Sequence, residues 1–289
     1  MKIRFILNPV SGGKHAPTDY LAKCVRVNFP QADLRLTKYA GHATELAAQA
    51  VQEKYDAVVA MGGDGTINEV ARALVNTQTA LGVVARGSGN GFAREIGMSL
   101  TPEVALLQLQ RAQILTCDVG FANGELFLNV AGVGIEADIA WQFMEYGTRG
   151  MWPYFVIGMR TVLSYKPKTL DVTFDEKQTT VQPLTLVFAN GKQYGSNFKI
   201  APKANLQDGF LDMVTVHNIP KWKLALAAPY FFTDKQRPFH LTDTQQIKQA
   251  TILHNGEILY HIDGEPRKTK NKLEIHLHPQ ALRVLVPYL

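Results

Sequence analysis

Cysteine is scarce in this sequence: the 289 residues include only two, Cys24 and Cys117, which are far apart and form no C-x-x-C pair. A disulfide scaffold and a zinc site of paired cysteines are therefore excluded, and a reducing compartment, the cytoplasm, is expected. Long uncharged apolar runs are also missing, because none approaches the roughly 20 residues that a membrane-spanning helix needs. The opening "MKIRFILNPV" lacks the cleavage site of a signal peptide and predicts a first strand.

Strong charge of either sign is absent too. The net charge is +5, with 19% charged and 46% hydrophobic residues, which is typical of an ordinary globular protein. A mildly basic chain favours anionic partners such as nucleotides or anionic lipid surfaces. The sequence contains no stripe of interleaved basic and aromatic residues, so nucleic acid is not a predicted partner.

Residues 1–120 alternate between strand-like and helix-like patterns. The strand-like runs are "KIRFIL", "ADLRLT", "DAVVA" and "ALGVV", and all but the second are mainly apolar with β-branched residues. Runs with helical spacing follow them, such as "ATELAAQAVQEKY" and "INEVARALV". This alternation predicts an α/β nucleotide-binding domain of three layers, with a parallel sheet covered by helices on both faces.

From about Ile114 the pattern changes to short runs rich in β-branched and aromatic residues, including "ELFLNVAG", "LDVTF", "LDMVTV", "ATILH" and "LRVLV". Asn-Gly and Asp-Gly turn signals separate them, which predicts a β-rich antiparallel sandwich. We therefore predict one domain over 1–120 and a second over 121–289, whose last strand returns to the first domain. Helical insertions are expected around residues 137–165 and 221–232.

Three glycine-rich loops each follow a predicted parallel strand: "NPVSGGK", "MGGDGTINEV" and "ARGSGNGFAR". The carboxyl ends of such strands meet at one edge of a sheet, where ligands bind. In the second loop, Thr66 and Glu69 have the spacing of a capping box, which predicts that a helix begins at Thr66. A helix start suits phosphate, and Asp64 could bind Mg²⁺. Three glycine loops at one edge therefore indicate a nucleotide site.

Two familiar nucleotide motifs do not fit these loops. A Walker A loop requires glycine where Asn8 stands, and Ser or Thr where His15 follows the lysine. The loop "GSGNGFA" approaches the Rossmann pattern, but no acidic residue stands about 20 positions further on. A hydride-transferring dehydrogenase is therefore not predicted.

With these motifs, nearly the whole chain resembles the diacylglycerol kinase catalytic family, bacterial lipid kinases that are similar to sphingosine and ceramide kinases. "NPVSGGK" looks like the first phosphate loop of that family, "GGDGTINEV" like its signature, and "GSGNGFAR" like its second glycine loop. "CDVG" with "FLNVAGVG" matches the entrance to its second domain. "PKANLQDGFLDM" resembles its structural cation loop, and "HIDGEP" resembles its late Asp-Gly-Glu motif.

The resemblance implies an ATP- and Mg²⁺-dependent lipid kinase with a nucleotide domain and a lipid domain. It would transfer the γ-phosphate to a lipid hydroxyl, of diacylglycerol or a related lipid such as a sphingoid base. The implied nucleotide-binding residues are Asn8, Ser11, Gly12, Thr37, Gly62, Gly63, Asp64, Gly65, Thr66, Asn68, Glu69, Gly87, Ser88 and Asn90.

The same resemblance implies the metal and catalytic residues. Asp64 and Asp118 would form a Mg²⁺ network, and Asp208 would form a structural cation site with the carbonyls of Asn205 and Phe210. Glu265 would be the general base, with Asp263 beside it. Taken without the resemblance, "IDGE" predicts only an Asp-Gly hairpin turn with solvated acids.

One departure from the family keeps alternatives open. Gly91 stands where the commonest form of the second loop has an aspartate. The protein is then either an active kinase, with a sphingoid-like acceptor as one choice, or a weakened enzyme that binds nucleotide or lipid. An NAD kinase shares a similar "GGDGT" loop, although "NPVSGGK" and "DGEP" favour the lipid kinase.

The predicted partners are a lipid substrate and, peripherally, the inner face of a membrane; a homodimer stays open. The segments "MWPYFV" and "PYFF", with Lys221, Lys223, Arg149 and Arg160 near them, predict either a membrane-docking surface or ordinary core helices.

Overall fold

The structure is a computed structural model that describes residues 1–12, 17–146, 158, 160–162, 164–233 and 238–288. It divides the chain into two compact units. The first unit comprises Met1–Val119 and Pro279–Leu289, and the second comprises Gly120–His278. The predicted fold class, an α/β domain with a parallel sheet followed by a β-rich antiparallel domain, is confirmed.

The first unit is built on a parallel sheet. Its first four strands have the spatial order β2-β1-β3-β4, and Val284 of the last strand pairs in parallel with Leu81 of β4. Strands β1, β3 and β4 are buried along their whole length, as expected for a sheet covered on both faces. The strands are β1 (Ile3–Leu7), β2 (Asp33–Leu36), β3 (Ala57–Gly62) and β4 (Ala80–Ala85).

Helices of the first unit pack in two groups, α1 with α5 and α2 with α3. Each presents an apolar stripe to the core; on α3, for example, Ile67, Val70 and Leu74 are buried at helical spacing. The helices are α1 (Thr18–Asn28), α2 (His42–Gln52), α3 (Asp64–Leu74), α4 (Gly91–Glu95) and α5 (Pro102–Gln110).

The second unit is built on antiparallel strands in the order β14-β13-β10-β7-β15, with β8 paired to β15 and β9 paired to β8. Side chains of β10 alternate between two apolar clusters: Leu186 and Phe188 face one, and Val187 and Ala189 face the other. Both faces of β10, the middle strand of this order, are therefore buried. The strands are β5 (Gln113–Ala122), β6 (Glu125–Phe127), β7 (Val130–Gly134), β8 (Leu170–Phe174), β9 (Lys177–Val181), β10 (Thr185–Ala189), β11 (Gln193–Gly195), β12 (Phe198–Lys199), β13 (Leu211–Val216), β14 (Thr242–Ile247), β15 (Gln249–Ile262) and β16 (Glu265–Val286).

Helical segments interrupt the strands of the second unit. They are α6 (Ile135–Glu145), α7 (Lys221–Ala227) and two short 3₁₀ helices, Ala228–Phe232 and Pro238–His240. The predicted segment "MWPYFV" and Arg149 lie outside the described residues. Throughout the described part of the chain, every helix is too short or too polar to cross a bilayer.

Candidate functional site

The carboxyl ends of four parallel strands lie side by side at one edge of the first unit. Backbone hydrogen bonds connect the residues that follow them. The Thr37 N–H donates to Leu7 O at 3.0 Å, the Asn8 N–H to Met61 O at 2.9 Å, and the Arg86 N–H to Gly62 O at 2.7 Å. The predicted convergence of the three glycine-rich loops on one edge is thus confirmed.

Helix α3 begins at Asp64 rather than at Thr66, so the predicted capping box is wrong. Gly63 occupies the N-cap position without a side-chain hydrogen bond, and the Ile67 N–H donates to Gly63 O at 3.1 Å. Thr66 Oγ1 instead accepts from Asn8 Nδ2 at 2.9 Å, and Glu69 Oε2 accepts from the Ala43 N–H at 3.2 Å. The two side chains make contacts to other loops and helices, and a glycine turn starts the helix.

Asp64 connects the second and third glycine loops. Its Oδ2 accepts from the Asn90 N–H at 2.9 Å, and its Oδ1 accepts from the Gly91 N–H at 2.8 Å. These amides open helix α4, where a carboxylate is favoured by the helix dipole. Gly91, which stands in place of an aspartate, therefore contributes its backbone amide to the Asp64 carboxylate.

The glycines of these loops allow two backbones to touch. A Cβ atom on Gly87 would lie 2.9 Å from the Gly63 Cα and 3.0 Å from Asn90 Oδ1. Asn90 has a left-handed backbone (φ 50°), and its side chain bonds both the N–H and the carbonyl of Gly87, at 2.7 and 2.9 Å. A Cβ atom on Gly62 would lie 2.5 Å from Thr66 Oγ1. The edge is therefore lined by backbone, and first-turn N–H groups of a helix point out of its end, as phosphate binding requires.

Arg86 also lies at this edge, in the loop "ARGSGNGFAR", and was not among the predicted site residues. The side chain is 6% exposed, and its Nη1 donates to Asn8 O at 2.9 Å. It lies against Gly12, whose φ is +88° and where a Cβ atom would be 3.1 Å from Arg86 Nε. Burial lowers the pKa of Arg86. The sequence signal for Arg86 was a basic residue that stands directly after a buried strand and before a glycine-rich loop.

The other predicted nucleotide residues differ in their surroundings. Ser88 is exposed at the tip of its loop, and Ser11 donates its N–H to Asn8 O at 3.3 Å. Asn68 is buried and accepts from Arg72 Nε at 2.8 Å. Two of the predicted nucleotide ligands, Asn68 and Glu69, therefore make contacts within the protein: Asn68 with Arg72, and Glu69 with helix α2.

The carboxylates predicted to bind metal in the first unit are Asp64 and Asp118. Asp118 is 1% exposed, and its Oδ1 accepts from the Gln280 N–H at 2.7 Å. Among the residues that the structure describes, no three histidine, cysteine or acidic side chains form a metal-ligand set. Mg²⁺ is commonly held by one or two carboxylates and substrate phosphates, so Asp64 fits a magnesium nucleotide although no protein-only site exists within that part of the chain.

In the second unit, Asp263 and Gly264 form the two-residue turn between Ile262 and Glu265. Both have positive φ, 49° and 87°, as a type I′ hairpin requires. The hairpin geometry is as the sequence predicts, but the Asp263 side chain is half-buried. Its carboxylate accepts from the N–H groups of Leu128, Asn129 and Val130 at 2.8, 2.9 and 3.1 Å.

Glu265 is presented differently from Asp263. Its side chain is 53% exposed, and its Oε2 lies 3.2 Å from Arg267 Nη2. The same Arg267 pairs with Glu125 at 3.0 Å. Of the two acids in the motif, Asp263 fixes neighbouring backbone and Glu265 is accessible to solvent.

The predicted cation loop is closed by its own side chains. Asp208 Oδ1 accepts from the Phe210 N–H at 3.1 Å, and Asn205 Oδ1 accepts from the Gln207 N–H at 3.1 Å. Nearby Asp212 is 5% exposed, and burial together with Asp208 raises its pKa to about 6. The loop therefore concentrates negative charge that a cation would relieve.

Two family models together match most of the chain. A diacylglycerol kinase catalytic domain matches residues 2–122. A YegS C-terminal NAD kinase beta sandwich-like domain matches residues 129–286.

Curated proteins and solved structures are similar to this chain over most of its length. A diacylglycerol kinase of Bacillus subtilis (strain 168) is 30% identical over 225 residues, which cover 74% of this chain and 73% of that protein. A diacylglycerol kinase of Mycobacterium tuberculosis is 27% identical over 300 residues, covering 99% and 95%. The crystal structure of a diacylglycerol kinase from Bacillus anthracis str. Sterne covers 99% of this chain and 96% of its own, with a TM-score of 0.78 and 19% identity, and so shares the fold.

Proposed function

The chain belongs to the diacylglycerol kinase catalytic-domain family and is a lipid kinase, and on that premise we propose that it transfers the γ-phosphate of ATP to a lipid hydroxyl. The proposed acceptor is diacylglycerol or a related lipid such as a sphingoid base. The observation that supports this proposal most is the close approach of the Gly63 and Gly87 backbones at the edge of the first unit, where helix α3 begins.

ATP is the proposed phosphate donor, bound along this edge. Backbone N–H groups of the glycine loops approach phosphate oxygens without a Cβ clash. The buried Arg86 adds a guanidinium, which matches phosphate oxygens in pairs and is more weakly hydrated than an ammonium group. Loss of a positive charge at position 86 should therefore weaken ATP binding more than loss of Ser88, which is exposed.

Magnesium is the proposed metal, and Asp64, with Asp118 in the same network, would hold it together with the phosphates. Bound there, Mg²⁺ would neutralise charge that develops on the transferred group. Asp64 accepts two backbone amides, which hold its carboxylate in a fixed orientation at this edge. In the second unit, Asp208 with the carbonyls of Asn205 and Phe210 is the proposed structural cation site.

Glu265 is the proposed general base. It would take the proton of the lipid hydroxyl as that oxygen bonds to the γ-phosphorus and the bond to the β-phosphate oxygen breaks, releasing ADP. Its exposure and its single arginine partner support this role. For Asp263 we propose a positioning role, because three backbone amides occupy its carboxylate.

A second candidate is a nucleotide- or lipid-binding protein with weak turnover, which Gly91 favours because it supplies no carboxylate where the commonest form of this loop has an aspartate. An NAD kinase-like activity is the third alternative. We place the protein in the cytoplasm, in peripheral contact with a membrane.

The test uses γ-labelled ATP and Mg²⁺ with diacylglycerol, sphingoid base, ceramide and phosphatidylglycerol in mixed micelles, and NAD in a parallel tube. Label in one lipid, lost in Glu265→Gln, supports the kinase and its base. The matched control is Glu274→Gln on the same strand, since Glu274 is 56% exposed and pairs with Lys272 at 2.7 Å. Label in NAD alone, or ATP binding without any turnover, favours the alternatives.

A further inference from the structure

An apolar face without acidic residues stands out on the second unit. Residues 217–233 contain no aspartate or glutamate. Helix α7 and the 3₁₀ helix after it expose Trp222 at 61%, Leu226 at 59% and Phe232 at 52%, with Tyr230 at 36%. We call these four side chains the aromatic face. Single exposed apolar residues are normal on protein surfaces, but four within two successive helical segments indicate a contact surface.

The opposite side of the same segment is packed into the core, so the aromatic face is held in place. Ala227 and Phe231 are buried in an apolar cluster with Val130 and Val214. The Phe198 ring stacks on Phe231 with centroids 4.9 Å apart and an interplanar angle of 6°. The segment is therefore an ordered amphipathic element whose apolar exposure is not a consequence of fraying.

Positive charge accompanies the aromatic face. Lys223 Nζ lies 5.5 Å from the Trp222 ring and 5.6 Å from the Phe239 ring, which is itself 41% exposed. Lys221, also on the segment, donates to the Val162 carbonyl. Amphipathic helices with Trp, Phe and Leu on one side, and lysines in place of acids, are typical of elements that lie in the interface of an anionic bilayer.

We propose that the aromatic face docks onto an anionic phospholipid bilayer, with Trp222, Leu226 and Phe232 entering the headgroup–acyl boundary. The inference deepens the proposed function, on which it rests for its reason: a kinase of membrane lipids must reach them at the bilayer. A second copy of the chain is a less suitable partner for the aromatic face. A two-fold symmetric dimer would place this face of one copy against the same face of the other and bring their lysines together.

Vesicle flotation of the full chain tests the proposal. The probes are vesicles of phosphatidylglycerol with phosphatidylcholine, and vesicles of phosphatidylcholine alone. We expect flotation with the anionic vesicles that weakens in high salt. The triple variant Trp222→Ser, Leu226→Ser, Phe232→Ser should bind at least about tenfold more weakly, because several buried methylenes are lost. Lys223→Glu should also weaken binding.

The matched control removes three exposed apolar side chains of the first unit: Val27→Ser, Val104→Ser and Leu107→Ser, which are 70%, 45% and 55% exposed. It should float like the wild type. Equal flotation of the aromatic-face variant and the wild type overturns the proposal. So does a wild-type dimer that this variant abolishes, seen by light scattering without any flotation.

A kinase assay on a short-chain lipid below its micelle concentration separates this inference from the proposed function. The aromatic-face variant should keep that activity and lose activity on vesicles. Wild-type flotation without phosphorylation of either lipid form would reject the kinase assignment and keep the docking surface.

Discussion

Replacing Asp263 by asparagine is expected to destabilise the protein, because its half-buried carboxylate accepts hydrogen bonds from the N–H groups of three buried residues. Oδ1 accepts from Asn129 and Val130, at 2.9 and 3.1 Å, and Oδ2 accepts from Leu128 at 2.8 Å. An asparagine with its oxygen in the Oδ1 position keeps two of these bonds but loses their ionic character. Its NH₂ group then faces the Leu128 N–H, so that two hydrogen-bond donors lie opposite each other without an acceptor.

The magnitude follows from these three bonds. A hydrogen bond to a charged group contributes about 1.5–3 kcal/mol, and a buried donor left without an acceptor costs about 1–3 kcal/mol. Losing one bond and weakening two others should therefore lower the free energy of unfolding by about 2–4 kcal/mol. Asp263→Ala removes all three and should cost about 4–5 kcal/mol, near the upper end for one substitution.

Urea unfolding of the protein without ATP or Mg²⁺ measures this effect apart from catalysis. The matched control is Asp175→Asn, because Asp175 also has positive φ (48°) in a two-residue turn, between Phe174 and Lys177. Its Oδ1 accepts one exposed bond, from the Lys248 N–H at 3.2 Å, so the cost should stay below about 1 kcal/mol. Wild-type stability of Asp263→Asn would refute the reasoning and return Asp263 to a chemical role.

Four further outcomes are expected. Glu265→Gln should lower the kinase rate about 10²–10⁴-fold at saturating ATP, with an unfolding free energy within about 0.5 kcal/mol of the wild type, so a large stability loss would contradict its assignment as base. Gly87→Ala should weaken ATP binding measured by calorimetry, because the new Cβ would lie 2.9 Å from the Gly63 Cα; unchanged affinity would show that the two loops separate freely. Arg86→Ala should weaken ATP binding about tenfold or more, while AMP, which lacks the β- and γ-phosphates, should lose less, and an equal loss for both would argue against a contact to those phosphates. Burial, with His278 adding to it, lowers the pKa of His276, so the folded state disfavours the charged ring and stability should decrease as pH falls below about 6.5. His276→Phe, which preserves the stack on Phe121 (5.2 Å, 6°), should reduce that decrease in acid unfolding curves, and an unchanged pH profile would assign the decrease to other groups.

Strands β1, β3 and β4 of the first unit could be predicted almost residue by residue, because parallel strands buried on both faces are largely apolar runs. Strands in the second unit that lie at edges were missed for the opposite reason. "TDTQQI" forms β14, but four of its residues are exposed, and "KQTTV" forms β9 with four exposed residues. Hydrogen bonding to a neighbour defines such strands, and apolar periodicity does not reveal it.

The sequence pattern also did not show where two apolar runs form one strand, or where one run is divided into two strands. "ATILH" and "ILYHIDG" are one strand, β15, because an irregularity between Leu253 and Glu257 bridges the polar residues between them. "ELFLNVAG" is two strands, because Leu128 and Asn129 leave the ladder and turn their N–H groups to Asp263.

At the candidate site, local motifs predicted where the loops meet, and tertiary contacts decided what each side chain does. The glycine spacing places the loops at one edge, since parallel topology requires it. The role of Thr66 depends on Asn8, 58 residues away, and that of Asp263 on residues more than 130 positions earlier. Neither partner can be identified from short-range spacing, and the buried position of Arg86 emerges only when the loops are folded together.

The first unit takes its fifth strand from residues 279–286, and this has a consequence for biosynthesis. The Gln280 N–H reaches Asp118, the Asn76 N–H donates to Ala281 O at 2.7 Å, and Val284 pairs with Leu81. While the ribosome is still making the second unit, the sheet that carries the glycine loops lacks this strand, and the open edge of β4 is available to wrong partners. The order of synthesis therefore delays completion of this sheet until the second unit has emerged, and a chain stalled between residues 119 and 279 should be aggregation-prone.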